Sequence, residues 1–520
     1  MDVAGVTSAA IVLILIFALI WAWRVLNWLW LRPKKLERLL REQGLKGNPY
    51  KFLVGDMNDF LNMQKEAQSK PMGLSDDIVS HVSPYFEHSV NKHGKNSFIW
   101  FGPTPRFTCT DPELIKDVLN KIYDFPKPDN NPLAKLLVSG LVTHEGEIWR
   151  KHRKIINPAF SLEKLKIMLP IFFRSCYDLI SKWEGMLSPD GSCEMDVWPF
   201  LQNLASDVIS RTAFGSSYEE GMRIFQLQKE QGELTMKVIM KVYIPGWRFL
   251  PTPTHRRMKE ISRDINDSLK KIINKRERAL KEGEASKNDL LDILLESNHK
   301  EIQEYGSKKN VGLNLKDVIE ECKLFYFAGE ETTSVLLVWT MVLLSRYPNW
   351  QERAREEVVK VFGNEKPDFD GLSHLKIVTM ILYEVLRLYP PVIGLARNVH
   401  KDVKLGNITL PAGVQISIPK LLVHHDSELW GDDATEFNPE RFSEGLLKAT
   451  KGRVSFFPFG WGPRICIGQN FSLLEAKMAL SVILQRFSFE LSPAYAHAPV
   501  TVITLQPQYG AHIILRKVGA

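Results

Sequence analysis

The stretch 456–471 reads FFPFGWGPRICIGQNF and holds one of only five cysteines in the 520-residue chain. Its glycines and Pro463 exclude a regular helix or strand, and they let the backbone pass close to a flat object. From Gly468 onward, the apolar residues recur at helical spacing and predict a long helix. Cys466 therefore precedes a helix N-terminus, where unpaired N–H groups and the nearby Arg464 favour a thiolate.

A thiolate held by backbone donors beside an aromatic ring and glycines suits the axial position of a haem iron. The alternative is an inert buried cysteine. The spacing of Phe459, Gly462, Arg464, Cys466 and Gly468 is similar to the haem-binding loop of the cytochromes P-450. This resemblance implies that the cofactor is haem b, with Cys466 as the axial ligand of the iron and the other four residues contacting the haem.

A second motif lies in LYEVLRLYPP, where Glu384 and Arg387 share one helix face. The same spacing recurs at Glu147 and Arg150 and elsewhere, where it indicates a solvated helix surface, so it is weak evidence alone. FNPERF at 437–442 adds Arg441 upstream of the cysteine loop. The resemblance implies that Glu384, Arg387 and Arg441 form a buried charged network that supports the haem face and has a structural role.

The third motif interrupts the apolar helix FYFAGEETTSVLLVW with the small residues Ala328 and Gly329, followed by polar side chains. Glu331 and Thr332 supply an acid and a hydroxyl, which can relay protons through water. The alternative is that Thr332 bonds only the carbonyl one turn back. The pattern Ala-Gly-x-Glu-Thr resembles the oxygen-activation motif of the cytochromes P-450, which implies catalytic roles for Glu331 and Thr332.

The fourth motif is EIWRKHRKIINPAF, where Trp149 and Arg153 lie one helical turn apart. Their indole N–H and guanidinium suit the carboxylates at a haem edge, although a plain basic helix surface is the alternative. The family resemblance implies that both contact the haem propionates. It implies a third such contact by Arg397, in PPVIGLARNVH.

The N-terminal segment differs from the rest of the chain, because no residue from Val3 to Trp23 is charged. A helix of this length crosses about 30 Å of hydrocarbon, which predicts a single membrane span. A cleavable signal peptide is the alternative, but Asp2 stands where such peptides carry Lys or Arg, and no small-x-small site follows. By the positive-inside rule, the residues that follow place the body in the cytosol. The basic residues are Arg24, Arg32, Lys34, Lys35, Arg38 and Arg41. Trp21, Trp23, Trp28 and Trp30 are expected at interfacial depth.

Composition excludes several classes of protein. The 67 basic and 60 acidic side chains are mostly interleaved, so nothing indicates nucleic-acid binding. The five cysteines are far apart and odd in number, which argues against a disulfide framework or a zinc site.

The periodicity predicts a mainly α fold with a minor β-sheet region. Helices are expected at 112–125, 162–187, 317–347 and 375–390, and strands at 98–110 and 414–422. We expect residues 1–23 to form a transmembrane anchor, 24–50 a basic juxtamembrane linker and 51–520 one large catalytic domain with the cytochrome P-450 fold.

Longer phrases, among them RVLNWLWLRPKKLERLLREQGLKGNPYKFLVGD and DVISRTAFGSSYEEG, resemble the plant family that includes secologanin synthase and several triterpenoid and gibberellin oxidases. The resemblance implies a microsomal monooxygenase on the endoplasmic reticulum membrane, in contact with lipid. Its substrate would be a small hydrophobic plant terpenoid of iridoid, triterpenoid or gibberellin type, oxidised at a C–H position. It places the pocket walls at 132–142, 325–328, 392–396 and 504–505.

No Gly-x-Gly-x-x-Gly unit for a nicotinamide or flavin occurs in the sequence. Electrons are therefore expected from NADPH–cytochrome P-450 reductase, docking on the cysteine side through positive charge. The candidate residues are Arg150, Lys151, Lys154, Lys448, Lys451 and Arg453.

Two other functions stay open at this stage. A haem-thiolate isomerase or dehydratase would use the same cysteine without dioxygen, although such proteins commonly lose the acid–threonine pair that is present here. A haem-binding sensor without enzymatic activity would bind haem through Cys466 but would not consume NADPH.

Overall fold

Helices form most of the structure, a computed structural model that describes residues 3–128, 131–215, 218–244, 246–282, 289–305 and 312–518. Met1, Asp2 and residues 519–520, which belong to the expected anchor and catalytic domain, lie outside the described residues. The helices are α1 Val3–Leu26, α2 Arg32–Glu42, α3 Met57–Ala67, α4 Val79–Val82, α5 Pro84–His93, α6 Pro112–Asn120, α7 Gly146–Ile156, α8 Leu162–Glu184, α9 Trp198–Phe214, α10 Tyr218–Ile239, α11 Pro253–Lys281, α12 Leu290–Tyr305, α13 Leu315–Arg346, α14 Pro348–Phe362, α15 Phe369–His374, α16 Lys376–Leu388, α17 Lys420–His424, α18 Ser427–Trp430, α19 Leu446–Ala449 and α20 Gln469–Arg486.

The strands form small sheets at the edges of the helical body. They are β1 Lys46–Gly47, β2 Ser97–Phe101, β3 Thr104–Thr108, β4 Ser192–Asp196, β5 Leu395–Asn398, β6 Val403–Leu405, β7 Ile408–Leu410, β8 Gln415–Ile418, β9 Phe487–Leu491, β10 Pro499–Val502, β11 Thr504–Pro507 and β12 His512–Lys517. The largest sheet has the order β1-β2-β3-β8-β5, and a second has the order β4-β12-β9. In the first sheet β5 pairs antiparallel with β8, which sets Arg397 opposite Ile416.

Helix α13 runs through the core and carries the Ala-Gly-x-Glu-Thr motif. It begins with a capping box. The Asn314 side chain accepts a hydrogen bond from the Asp317 backbone N–H, and the Asp317 side chain accepts one from the Asn314 backbone N–H. Beyond the motif its residues are buried on every face, including Leu336 and Leu337. It packs against α9, α16 and α20. A helix that is apolar all round is stable only when it is enclosed, so α13 organises the fold around the motif.

Among the described residues, two helical segments are long and apolar enough to cross a membrane. One is α13, whose apolar window is 72% buried and which is therefore a core helix. The other is near the N-terminus, where the window is not buried at all. This second segment is consistent with membrane anchoring.

The N-terminal helix does not end where the apolar run ends. A π-helical turn at Asn27–Leu31 joins α1 to α2, and α2 buries Leu36 and Leu40 against the body. The Tyr50 hydroxyl donates to the carbonyl of Leu29 at 2.7 Å. Most of the segment 24–50, expected to form a linker, is therefore folded onto the catalytic body.

The predicted fold class is confirmed. Helices α6, α8 and α16 lie within the predicted helices, and α13 begins two residues before the helix predicted at 317–347. One expectation was wrong in part: of the strand predicted at 414–422, only Gln415–Ile418 is extended, and Lys420–His424 is helical. Pro419 explains the change, because it has no N–H for the strand ladder and is compatible with a helix start.

Candidate active site

A cavity of about 380 Å³ lies between α13 and the loop that precedes α20, and its lining is mostly apolar. Cys466 and Thr332 both line it. The apolar lining comes from many separate elements and includes Leu141, Val142, Phe160, Ile209, Leu324, Phe325, Leu336, Leu386, Val392, Leu395 and Phe471. The cavity therefore joins the motif cysteine to a hydrophobic chamber.

The cysteine loop is held tightly against the rest of the fold. The backbone N–H of Cys466 donates to the carbonyl of Phe459 at 2.8 Å. Gly462 has a φ of +70°, and a Cβ there would lie 2.6 Å from the side chain of Asn120. Because α6 approaches so closely, only glycine fits at this point of the motif.

Cys466 lines the cavity, and its side chain is accessible from that space. Burial raises its pKa, and the Gly468 N–H together with Arg153, Lys420 and Lys127 lower it in part. The sequence predicts that the helix N-terminus favours a thiolate, but burial outweighs that effect in the protein alone. Coordination to iron would remove the proton, since a metal-bound thiol is deprotonated outright.

Arginines surround the loop. Arg464 lies over the Trp149 ring at 4.3 Å from its centroid and pairs with Glu145 at 2.6 Å. Arg153 donates to the carbonyl of Ile465 at 3.0 Å. Trp149, Arg153 and Arg397, the three residues expected at the haem edge from the sequence, all line the cavity.

Two lysines also line this cavity, the half-buried Lys127 and the buried Lys420, and the sequence did not point to them. Burial lowers the pKa of each to about 7. Their ammonium groups donate to backbone carbonyls, Lys127 to Val142 at 2.7 Å and Lys420 to Pro458 at 2.8 Å. The one available sequence signal was a lysine within the apolar run ISIPKLLV.

These cations allow a test of whether haem fits. Arg397 donates to the carbonyl of Ala396, and burial and the nearby Arg464 lower its pKa to about 10. Within the described part of the chain, no ion pair involves Lys127, Lys420 or Arg397. Buried cations without a counter-ion are costly, so an anionic occupant would stabilise this cavity. The two propionates of haem b and the thiolate supply that charge, and the residues present therefore fit haem.

The acid and hydroxyl of α13 point in different directions. Thr332 lines the cavity and donates to the Ala328 carbonyl at 2.8 Å. Glu331 faces strand β11, where its carboxylate accepts from the Thr504 hydroxyl at 2.6 Å and from the Gln506 side-chain amide. Burial raises the pKa of Glu331, and these two hydrogen bonds oppose the rise. The hydroxyl thus lies at the cavity and the acid lies behind it.

The Glu384–Arg387 pair is fully buried, at 0% exposure for both side chains. It is bidentate, with N–O distances of 2.8 and 2.7 Å. Arg441 approaches the same carboxylate at 3.6 Å and pairs with Asp433 at 2.9 Å. Arg387 also donates to the carbonyl of His424, next to the cysteine loop. The three motif residues are therefore brought together in one network.

The expected pocket walls match the cavity unevenly. The segments 132–142, 325–328 and 392–396 each contribute lining residues, among them Leu141, Phe325 and Val392. The segment 504–505 does not line the cavity: the Thr504 hydroxyl bonds Glu331, and the Leu505 carbonyl accepts from Trp339. That expectation was wrong because β11 lies behind α13.

The family model for cytochrome P-450 matches residues 79–508. Cytochrome P-450 72A68 of Medicago truncatula is 64% identical over all of both chains. An 11-oxo-beta-amyrin 30-oxidase of Glycyrrhiza uralensis is 60% identical, over 99% of this chain and all of that protein. A solved cyanobacterial cytochrome P-450 with retinoic acid bound aligns with a TM-score of 0.75 at 23% identity, covering 91% of this chain and 99% of that one.

The fold and the thiol-bearing cavity define a haem-thiolate enzyme. The chain belongs to the cytochrome P-450 family. It is a monooxygenase whose cofactor is haem, as its plant relatives and the structural neighbour support.

Replacing Cys466 by Ala is expected to abolish the CO-difference band that is characteristic of thiolate-ligated haem, because no thiolate then faces the cavity. The measurement is a reduced, CO-treated spectrum of microsomes, with Cys193→Ala as the control, since Cys193 is a half-exposed thiol on β4. Persistence of the band in Cys466→Ala would show that the ligand assignment is wrong.

Replacing Arg387 by Met is expected to destabilise the protein by about 3–5 kcal/mol, because the buried Glu384 loses its bidentate partner and keeps only the longer ion pair with Arg441. Arg150→Met removes an arginine from a pair of the same spacing, but its pair with Glu147 is exposed. That control is expected to cost about 0–1 kcal/mol. Thermal unfolding and haem content of the purified full chain provide the comparison; equal losses in the two variants would contradict the structural role.

Proposed function

We propose that the protein hydroxylates a C–H position of a triterpenoid, using dioxygen and electrons from NADPH–cytochrome P-450 reductase. The observation that carries this proposal is the apolar chamber that opens directly onto Cys466. Two curated relatives, from Glycyrrhiza uralensis and Medicago truncatula, are named as 11-oxo-beta-amyrin 30-oxidases and cover 99% of this chain. Of the terpenoid classes expected from the sequence, a triterpenoid is therefore the best supported.

Residues of this chain would hold both the haem and the substrate. Cys466 and the cations of the cavity would bind haem, which supplies, when bound, the redox chemistry that activates dioxygen. The aliphatic and aromatic walls bind the substrate by burying its apolar surface and exclude water. At Gly329 a Cβ would lie 2.7 Å from Ile209, so glycine lets α9 pack closely behind this wall.

Thr332 and Glu331 would deliver protons. The Thr332 hydroxyl donates to the Ala328 carbonyl, and its oxygen can accept a hydrogen bond from water in the cavity. The raised pKa of Glu331 lets its carboxyl hold a proton closer to neutral pH. The Thr504 and Gln506 side chains orient that carboxyl from the β11 side. Water would complete the path between acid and hydroxyl.

We assign the protein to the endoplasmic reticulum membrane, with one span in α1 and the catalytic body in the cytosol. The exposed apolar helix and the basic residues that follow it support this assignment. A reductase would dock on the cysteine side. Some of the expected basic residues are on α7, near Cys466 in the fold, and others flank α19.

Microsomes that carry the protein together with its reductase test the substrate class. Fed with triterpenoids of the β-amyrin type, iridoids and gibberellins, they are expected to add one oxygen atom to a triterpenoid when NADPH is present, as read by mass spectrometry. Conversion of only iridoids or gibberellins would overturn the triterpenoid assignment.

The same assay separates the other functions. A product isomeric with its substrate, formed without oxygen consumption, would identify an isomerase. A normal CO-difference band without NADPH-dependent turnover of any member of the panel would identify a haem-binding sensor.

Replacing Thr332 by Ala is expected to uncouple NADPH use from product formation, because the cavity loses its proton-carrying hydroxyl. The measurement is the ratio of product formed to NADPH consumed, which we expect to fall by about ten-fold or more. Thr332→Ser is the matched control, since it keeps the hydroxyl and should retain most of the coupling. Full coupling in the alanine variant would contradict the relay.

A further inference from the structure

Glu321 is a fully buried carboxylate on α13, well removed from the Ala-Gly-x-Glu-Thr motif, and the proposed mechanism does not use it. One carboxylate oxygen accepts from the backbone N–H of Leu141 at 3.1 Å. The other lies 2.5 Å from Nδ1 of His152 on α7. Burial raises the pKa of Glu321, and the contacts with His152 and Leu141 oppose the rise. Both oxygens are therefore engaged, one by a helix and one by a loop.

The loop is shaped around this carboxylate. Gly140 has a φ of +68°, and a Cβ there would lie 2.8 Å from the carboxylate carbon and from both oxygens of Glu321. Glycine is thus required twice, once by its backbone conformation and once by the closeness of the acid. The resulting turn, Gly140–Val142, packs directly against α13.

This turn is a wall of the substrate cavity. Leu141 and Val142 line the cavity, and the carbonyl of Val142 accepts from Lys127. Two residues further on, the carbonyl of His144 accepts from Arg464 of the cysteine loop at 2.7 Å. The segment is therefore fixed at one end by α13 and at the other by the loop that holds Cys466.

His144, His152 and Glu321 are residue types that bind metals, and their ligand atoms lie within 4.8 Å of one another. The contacts favour a different role. Glu321 already bonds the Leu141 N–H and His152, and the His144 ring packs edge-on against the His152 ring at 4.5 Å. These contacts join the 140–144 segment, α7 and α13, and a network of this kind fixes the positions of the chain segments that carry it.

We propose that Glu321 is a positioning residue for substrate selection, which sets the Leu141–Val142 wall of the cavity through the Leu141 backbone N–H and the Gly140 turn. It acts on the shape of the cavity and not on the haem or on the reacting atoms. The inference rests on the proposed function only in taking this cavity as the place where the substrate binds.

The experiment uses the full-length, haem-loaded protein and two iron-binding probes, imidazole and a bulky azole such as ketoconazole. Imidazole needs only access to the iron, whereas the bulky azole also contacts the walls. Glu321→Ala is expected to change the dissociation constant of the bulky azole by about ten-fold relative to that of imidazole, with the CO-difference band retained. Glu321→Gln keeps an acceptor for the Leu141 N–H and should stay close to the unaltered protein. Glu356→Ala, at an exposed position on α14, is the matched control.

Two further measurements separate this role from general destabilisation. Amide hydrogen exchange of the 140–144 segment is expected to speed up by about ten-fold in Glu321→Ala, while that of α20 stays unchanged. Gly140→Ala should shift azole binding more in the protein that keeps Glu321 than in Glu321→Ala, because loss of the carboxylate relieves the clash while the strain of the positive φ remains in both.

An unchanged ratio of azole to imidazole affinity in a haem-replete Glu321→Ala protein would overturn the inference, and so would additive effects of the two substitutions. Because neither probe is a substrate, these outcomes do not depend on whether the protein oxidises triterpenoids. Failure of the substrate class in the microsomal assay is therefore distinguishable from failure of this inference.

Discussion

The structure of the active-site cavity depends on one electrostatic constraint: several cations lie around a single thiol and are largely shielded from water. Lys127, Lys420 and Arg397 face the cavity, and their hydrogen bonds end on backbone carbonyls. Burial lowers the pKa of all three, because the protein alone compensates their positive charge poorly. An anionic cofactor removes that cost. The same burial raises the pKa of Cys466, so haem, thiolate and cations stabilise one another as a set.

Helix α13 belongs both to the core of the fold and to the wall of the cavity. Its C-terminal half is packed on all sides, which holds Thr332 at the cavity and Glu331 against β11. Glu321, near its N-terminal end, reaches the turn at Gly140. Since Glu321, Glu331 and Thr332 are all carried by this one helix, their relative positions do not depend on a flexible loop.

The sequence predicted those features that have a fixed spacing along the chain. The cysteine loop, the Glu384–Arg387 pair and the long apolar helices are local patterns, and each could be found from its residues alone. Lys127 and Lys420 belong to no such pattern, because each reaches the cavity only through the tertiary fold. The direction of Glu331 was not predictable either, since neighbouring residues on a helix point about 100° apart and only the packing decides which one faces the cavity. The Glu321–Leu141 contact joins residues far apart in the chain, and no periodicity reports it.

The junction between α1 and α2 restricts how the N-terminal helix can move relative to the body. Because the helix continues through the turn Asn27–Leu31 and α2 is packed on the body, the two parts cannot rotate independently as they would around a flexible tether. If a bilayer fixed the tilt of α1, it would also fix the distance of the cavity from the lipid surface and the direction in which the cavity opens. With such a junction, the angle between α1 and the body would determine which surfaces of the enzyme face the lipid and which remain accessible from the water.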